Sequence, residues 1–209
     1  MGSVRVLKAP AKVNLHLEIL GRRGDGFHEI LSVFQAVSLY DRVALRSLKV
    51  TGQLSVRCTL PIPAEQNIVT AAVRRFRERT GIEAGVAVSL RKAIPVGAGL
   101  GGGSSDAAAT LRGMNEMFGG PLGRNELVAL AAALGSDVPF FLGGPTALVE
   151  GRGERLTSLP GRADYQVVLV WPGFGVDTRE AYRWFDEQEQ GAGAPAHLSA
   201  EEVRRRFTG

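Results

Sequence analysis

Residues 95–106 read Pro95-Val-Gly97-Ala-Gly99-Leu100-Gly101-Gly102-Gly103-Ser104-Ser105-Asp106. The five glycines let backbone N–H groups converge with no side chain in the way, which is the chemistry of an anion cradle. Ala107, Leu111, Met114 and Phe118 then recur at helical spacing, so a helix opens at the glycines and turns its positive end toward them. Ser104 and Ser105 add hydroxyls for phosphate oxygens or for a metal that bridges them.

Three phosphate-binding patterns compete for this stretch. A Walker-type loop ends in Gly-Lys-Ser/Thr, but no lysine follows Lys92, which excludes it. Gly97, Gly99 and Gly102 satisfy the dinucleotide spacing G-x-G-x-x-G, yet a second helical pattern follows the first. No strand ending in an acidic residue stands where a ribose would need one. A tight connection with no ligand would account for the glycines but not for the paired serines at a helix start. The remaining reading is a phosphate-binding loop of another kind.

The elements that position this loop are legible from periodicity. Val13, Leu15, Leu17 and Ile19 alternate with polar residues as one strand, which puts Lys12 and Asn14 on a shared polar face. Gly21 to Gly26 is a turn, and Ile30 to Leu39 reads as a second strand ended by Asp41. Residues 43–50 and 54–60, joined at Thr51-Gly52, have the pattern of a hairpin. Asn67 caps a helix with the stripe Val69, Ala72, Val73, Phe76 and a stop at Gly81. Val86, Val88 and Leu90 form a strand leading to the glycines. Leu127, Leu130, Ala131 and Leu134 mark a further helix ending at Gly135. Thr146 to Glu150 and Tyr165 to Trp171 read as strands, Thr178 to Asp186 and Ala200 to Phe207 as helices, and Gln190 to Pro195 as a loop. The order is α+β rather than regular βαβ alternation.

Bulk composition sets outer limits. With 44% hydrophobic and 22% charged residues the balance is that of a globular chain, and no apolar run approaches the roughly 20 residues needed to span a bilayer. A net charge of +4 and a pI near 9.6 suit a polyanionic ligand without choosing among nucleotide, phosphorylated metabolite and nucleic acid. Arg74, Arg75, Arg77 and Arg79 read as a solvated helix face rather than an RNA-binding patch. A single cysteine, Cys58, permits no intrachain disulfide and fits a reducing cytoplasm.

The pattern Pro-x-x-x-Gly-Leu-Gly-Gly-Gly-Ser-Ser resembles the phosphate loop of the GHMP kinases, named for galactokinase, homoserine, mevalonate and phosphomevalonate kinases. Three further segments narrow the resemblance: Ala9-Pro10-Ala11-Lys12-Val13-Asn14-Leu15, Gly26-Phe27-His28, and Gly135-Ser136-Asp137-Val138-Pro139-Phe140. In this order around the loop they are similar to the kinases of the non-mevalonate isoprenoid pathway that act on a cytidine-diphosphate-linked methylerythritol. The likeness extends over nearly the whole chain. It implies a GHMP kinase fold, with an amino-terminal domain like the second domain of ribosomal protein S5 over 1–155. Residues 156–209 would then begin a carboxy-terminal domain that is incomplete here, because the glycine-rich segment relatives carry later has no counterpart after Gly175.

The resemblance also implies roles. Asp137 stands at the base position, although a residue after a helix stop and before Val138-Pro139 also suits a helix cap. Lys12 is its electrostatic partner, and Asn14 is the contact to the erythritol part. Phe27, where many relatives have tyrosine, stacks on cytosine, and His28 reads the ring edge. Tyr182, in Thr178-Arg-Glu-Ala-Tyr182, closes the other side of the base, with Trp184 and Phe185 as neighbouring alternatives. Asn67 and Lys92 fall on the adenine side, and the loop residues Pro95 to Ser105 hold phosphate. The cofactors implied are ATP and Mg²⁺, with no protein carboxylate cluster as metal ligand. The implied partner is a small molecule carrying a cytidine diphosphate, not nucleic acid or membrane. The other readings are a GHMP kinase for a different alcohol and a non-catalytic nucleotide- or RNA-binding module.

Overall fold

Two long strands form the spine of the molecule, which is known from a computed structural model describing residues 4–161, 165–189 and 197–208. β1 (Val4–Arg22) runs antiparallel to β2 (His28–Leu48), with register shifts at Pro10/Ala11, Asn14/His16 and Ile19/Gly21. On its other edge β2 pairs at Arg42–Leu48 with β4 (Gly85–Arg91) and at Ile30–Gln35 with β5 (Thr146–Gly151). β3 (Leu54–Cys58) lies parallel to β4, and β6 (Arg155–Ser158) lies antiparallel to β5, giving the order β3-β4-β2-β5-β6 with β1 on β2.

This topology corrects two sequence expectations. Residues 43–50 and 54–60 are not a hairpin, because β4 inserts between them. Alternation of apolar residues places a strand on a face but does not name its neighbour, and here α1 (Ile68–Thr80) carries the chain from β3 to a parallel β4. Nor does Asp41 end a strand. It lies inside β2, fully buried, because partners distant in sequence satisfy its carboxylate.

Helices α1, α2 (Gly102–Met117) and α3 (Arg124–Ala132) cover one face of the sheet. Their stripes meet inward-facing strand residues in one core of Leu7, Val43, Leu45, Val73, Phe76, Val86, Val88, Leu111 and Met114. At the cap of α1, Asn67 Oδ1 accepts the N–H of Val69, and Gly81 stops the helix in a left-handed conformation. Arg77 departs from its solvated neighbours: it is buried and donates to the carbonyls of Gly52, Gln53 and Ala84, tying α1 to the turns beside β3 and β4. β1 also differs from expectation. Its most buried residues are Ala9, Ala11 and Lys12, whereas Leu17 is exposed, because the bulge at Asn14/His16 resets which side chains point inward.

The half of β2 that meets β5 is covered on both faces. Ile30, Phe34 and Val149 pack with Phe140, while Leu31, Val33 and Leu148 pack with Leu159 and with Val203 of α5 (Ala200–Thr208). Residues 165–171 form no strand; Val168 and Val170 stand out in solvent, since the alternating pattern finds no pairing edge among the described residues. Residues 178–189 form α4. The expected loop 190–195 lies outside the described residues. No helix among the described residues is long and apolar enough to cross a membrane.

Candidate active site

The glycine stretch links β4 to α2, and its backbone alternates into left-handed conformations at Gly97 (φ 71°), Gly99 (φ 70°) and Gly101 (φ 67°). Two contacts hold it in place. The Lys12 N–H donates to Leu100 O at 2.9 Å, and the Val176 N–H donates to Gly97 O at 3.0 Å. Both demand glycine. A Cβ on Gly101 would lie 2.9 Å from Phe141 Cζ and 3.1 Å from Lys12 Cγ, and one on Gly97 would lie 3.0 Å from Gly175 Cα. Gly101 is the N-cap of α2, so the free N–H groups of that helix open onto the loop. Ser105 Oγ is buried there without a hydrogen-bond partner among the described residues.

The same hydrogen bond that fixes Leu100 brings the loop to a charged pair. Lys12 Nζ lies 3.7 Å from Asp137 Oδ2, donates to Asn14 Oδ1 at 2.7 Å, and sits over the Phe34 ring at 4.3 Å. Burial pulls the Lys12 ammonium below its ordinary range, and the Asp137 charge opposes that pull. Asp137 follows α3 and precedes the short 3-10 helix Pro139–Leu142, whose N-cap is Val138 and receives no side-chain cap. The carboxylate therefore does not cap the turn; it faces Lys12 and remains partly open to solvent.

A second cluster borders the first. The His28 ring stacks on Tyr182 of α4 with centroids 4.6 Å apart, and His28 Nε2 lies 2.7 Å from Asp186 Oδ1. Burial and then the charge of Asp137 raise the Tyr182 hydroxyl above its ordinary value. Phe27 is half exposed, with the Arg152 guanidinium 5.0 Å above its ring. Thr178 begins α4 on the surface.

The structure thus brings Lys12, Asn14, Asp137, Leu100 and the glycines together, with His28 and Tyr182 beside them. Asn67 and Lys92 stand differently. Asn67 is buried and caps α1, while the Lys92 ammonium lies beneath the loop between Asp41 and Asp106. Asp186 and Arg152 escaped the sequence reading. The only available signal for Asp186 was its place one helical turn beyond Tyr182.

Residues 67–144, which carry the glycine loop, α2, α3 and Asp137, match the GHMP kinases N terminal domain. Among curated relatives, the 4-diphosphocytidyl-2-C-methyl-D-erythritol kinase of Persephonella marina is 43% identical over 181 residues, 86% of this chain and 65% of that protein. That of Pelotomaculum thermopropionicum is 48% identical over 178 residues, 85% of this chain and 62% of the relative. The crystal structure of a 4-(cytidine 5'-diphospho)-2C-methyl-D-erythritol kinase superposes with a TM-score of 0.74 at 34% identity, covering 97% of this chain and 71% of that one. The chain belongs to this kinase family. It spans a little under two thirds of the length of these curated relatives. Homoserine kinase from Cytophaga hutchinsonii, at 22% identity and a TM-score of 0.65, shares the fold.

Proposed function

We propose that this chain carries the ATP-binding and catalytic residues of a kinase that phosphorylates the 2-hydroxyl of 4-diphosphocytidyl-2-C-methyl-D-erythritol. The observation that carries the reading is the Lys12 peptide. Its N–H holds the phosphate loop at Leu100, and its side chain holds Asp137 at 3.7 Å, so a bound triphosphate and a bound alcohol meet beside one carboxylate.

In this reading the amides of residues 97–103 and the first turn of α2 grip the phosphates. Asp137 accepts the proton of the substrate hydroxyl, whose oxygen attacks the terminal phosphorus as the bond to the bridging oxygen of ADP breaks. The Lys12 ammonium keeps Asp137 ionised and stabilises charge as it develops on the alcohol oxygen. Asn14, aligned by Lys12, faces the polyol. Phe27, His28 and Tyr182 supply aromatic and ring-edge contacts for cytosine.

Mg²⁺ would neutralise phosphate charge. Among the described residues no group of three or more acidic, histidine or cysteine side chains is arranged to hold a metal. Ser104 and the Ser105 hydroxyl, at the start of α2, would supply oxygen ligands to an ion bound with the nucleotide. The single cysteine agrees with a cytoplasmic setting.

Phosphorus NMR of the protein with MgATP and the cytidine substrate tests the reading. A new phosphate-monoester resonance with equimolar ADP is expected. Equal turnover of methylerythritol lacking the cytidine diphosphate would assign the chain to another alcohol, and no transfer to either would remove the kinase assignment.

A further inference from the structure

Beneath the phosphate loop lies an ion cluster that the transfer chemistry does not use. Asp41, inside β2, has no exposed side-chain surface; its Oδ1 accepts the N–H groups of Ala93 at 2.6 Å and Ile94 at 2.9 Å, where β4 turns into the loop. Its Oδ2 accepts from the Lys92 ammonium, which also donates to Asp106 Oδ2 at 2.6 Å in the second turn of α2. The side chains of Lys92 and Asp106 are 6% and 3% exposed. Withdrawing two carboxylates and an ammonium from water is costly before they attract one another, and apolar residues of equal volume would fill the space without that cost. Such a cluster points to a geometric demand.

The demand is visible in what the cluster joins. Asp41 binds the entry of the loop, Asp106 belongs to its exit, and Lys92 bridges the two across a glycine stretch that has almost no side chains to hold its own shape. Gly102 rests on the bridge, since a Cβ there would sit 3.3 Å from Lys92 Nζ. Fixing a residue's backbone costs conformational entropy, most for glycine, so a loop shaped before the ligand arrives spares binding that cost. The Lys92 charge is already matched by two carboxylates, which leaves it unsuited to serve as a direct phosphate ligand.

We propose that Asp41, Lys92 and Asp106 are positioning residues that clamp both ends of the phosphate loop to the sheet, presetting its amides for a triphosphate. The clamp rests on the reading of the loop as a nucleotide site. It acts on phosphate recognition and leaves recognition of the base untouched.

The variant Lys92→Met/Asp106→Asn cuts the bridge, keeps the Asp41 bonds to Ala93 and Ile94, and strands no carboxylate at position 106. Calorimetry at pH 8 compares ATP, ADP and adenosine. The expected result is an ATP affinity at least tenfold weaker, a smaller loss for ADP and an unchanged adenosine affinity. An equal loss for all three would place Lys92 at the base or in general stability, and an unchanged ATP-to-adenosine ratio would likewise overturn the clamp. Should circular dichroism show the double variant unfolded, Asp106→Asn alone is read by the same ratio. If the unsubstituted protein binds no ATP, the kinase reading itself fails; if it binds ATP and the ratio survives the substitution, only the clamp fails.

Discussion

Asp186 Oδ1 lies 2.7 Å from His28 Nε2, and a carboxylate accepts but does not donate. The bond therefore keeps a proton on Nε2, and in the neutral ring it leaves Nδ1 as an acceptor. An acceptor matches the exocyclic amino group of cytosine and opposes the carbonyl that uracil carries there. Asp186→Asn, whose amide can itself donate to Nε2, should lower the preference for the cytidine over the uridine form of the substrate by about tenfold, or 1.4 kcal/mol, in kcat/KM. An unchanged ratio would release His28 from base discrimination.

Asp137 does not cap the turn that follows it and faces Lys12 instead, and under the proposed function it accepts the substrate proton. Asp137→Asn should lower kcat by a factor of about 10² to 10⁴, the range of a general base, while calorimetric ATP affinity stays within about twofold. Turnover near that of the unsubstituted protein would take Asp137 out of the proton transfer.

Lys12 titrates below the ordinary lysine range because burial outweighs the opposing charge of Asp137. Its ammonium is lost as pH rises through that lowered value, so kcat should fall on the alkaline side earlier than an exposed lysine would allow. Lys12→Arg keeps the charge to far higher pH. Its pH–rate profile should lose this limb even if the absolute rate drops, and a limb that stays in place belongs to another group.

What the sequence revealed and what it hid divide along the range of the interactions. The stripe Val69, Ala72, Val73, Phe76, with its caps Asn67 and Gly81, is a local pattern and is present as read. The glycine loop is equally local, since its backbone requirement is written in residue type. Asp41 was misjudged as a strand end because an acid after an apolar run usually meets water; here its partners are some 50 residues away, at Lys92, Ala93 and Ile94. Arg77 looked like its exposed neighbours until the carbonyls of Gly52, Gln53 and Ala84 came round to it. Asp186 meets His28 across 158 residues, a pairing that no spacing encodes.

Gly101 should resist even the smallest substitution, and its failure should be specific. Gly101→Ala incurs left-handed strain of about 1–2 kcal/mol and also pushes on Phe141 Cζ and Lys12 Cγ. Gly119→Ala has the same strain at φ 82° but meets nothing within 4 Å, so it serves as a control. Gly101→Ala should lose more stability than Gly119→Ala in denaturant titration, and only Gly101→Ala should lose tenfold or more in kcat/KM for ATP. Equal activity in the two would mean that the loop tolerates displacement from Lys12.

Asp106 links stability to pH. Burial raises its carboxyl to about 6, and the Lys92 ammonium restrains the rise without cancelling it. Between the unfolded value of 3.8 and the folded value of about 6, the native state holds more of this proton than the unfolded chain. The slope of stability with pH follows protons bound unfolded minus protons bound native, so it is negative in this window. The contribution is fully present below the unfolded value and is lost as pH rises through about 6, by up to about 3 kcal/mol for a two-unit shift. Asp106→Asn removes the titration. The stability difference between the unsubstituted protein and the variant should therefore move against the unsubstituted protein from pH 4 to pH 7 and level off above. Chemical denaturation at a series of pH values measures it, and parallel curves for the two proteins would show that Asp106 titrates in the native state as it does in the unfolded chain.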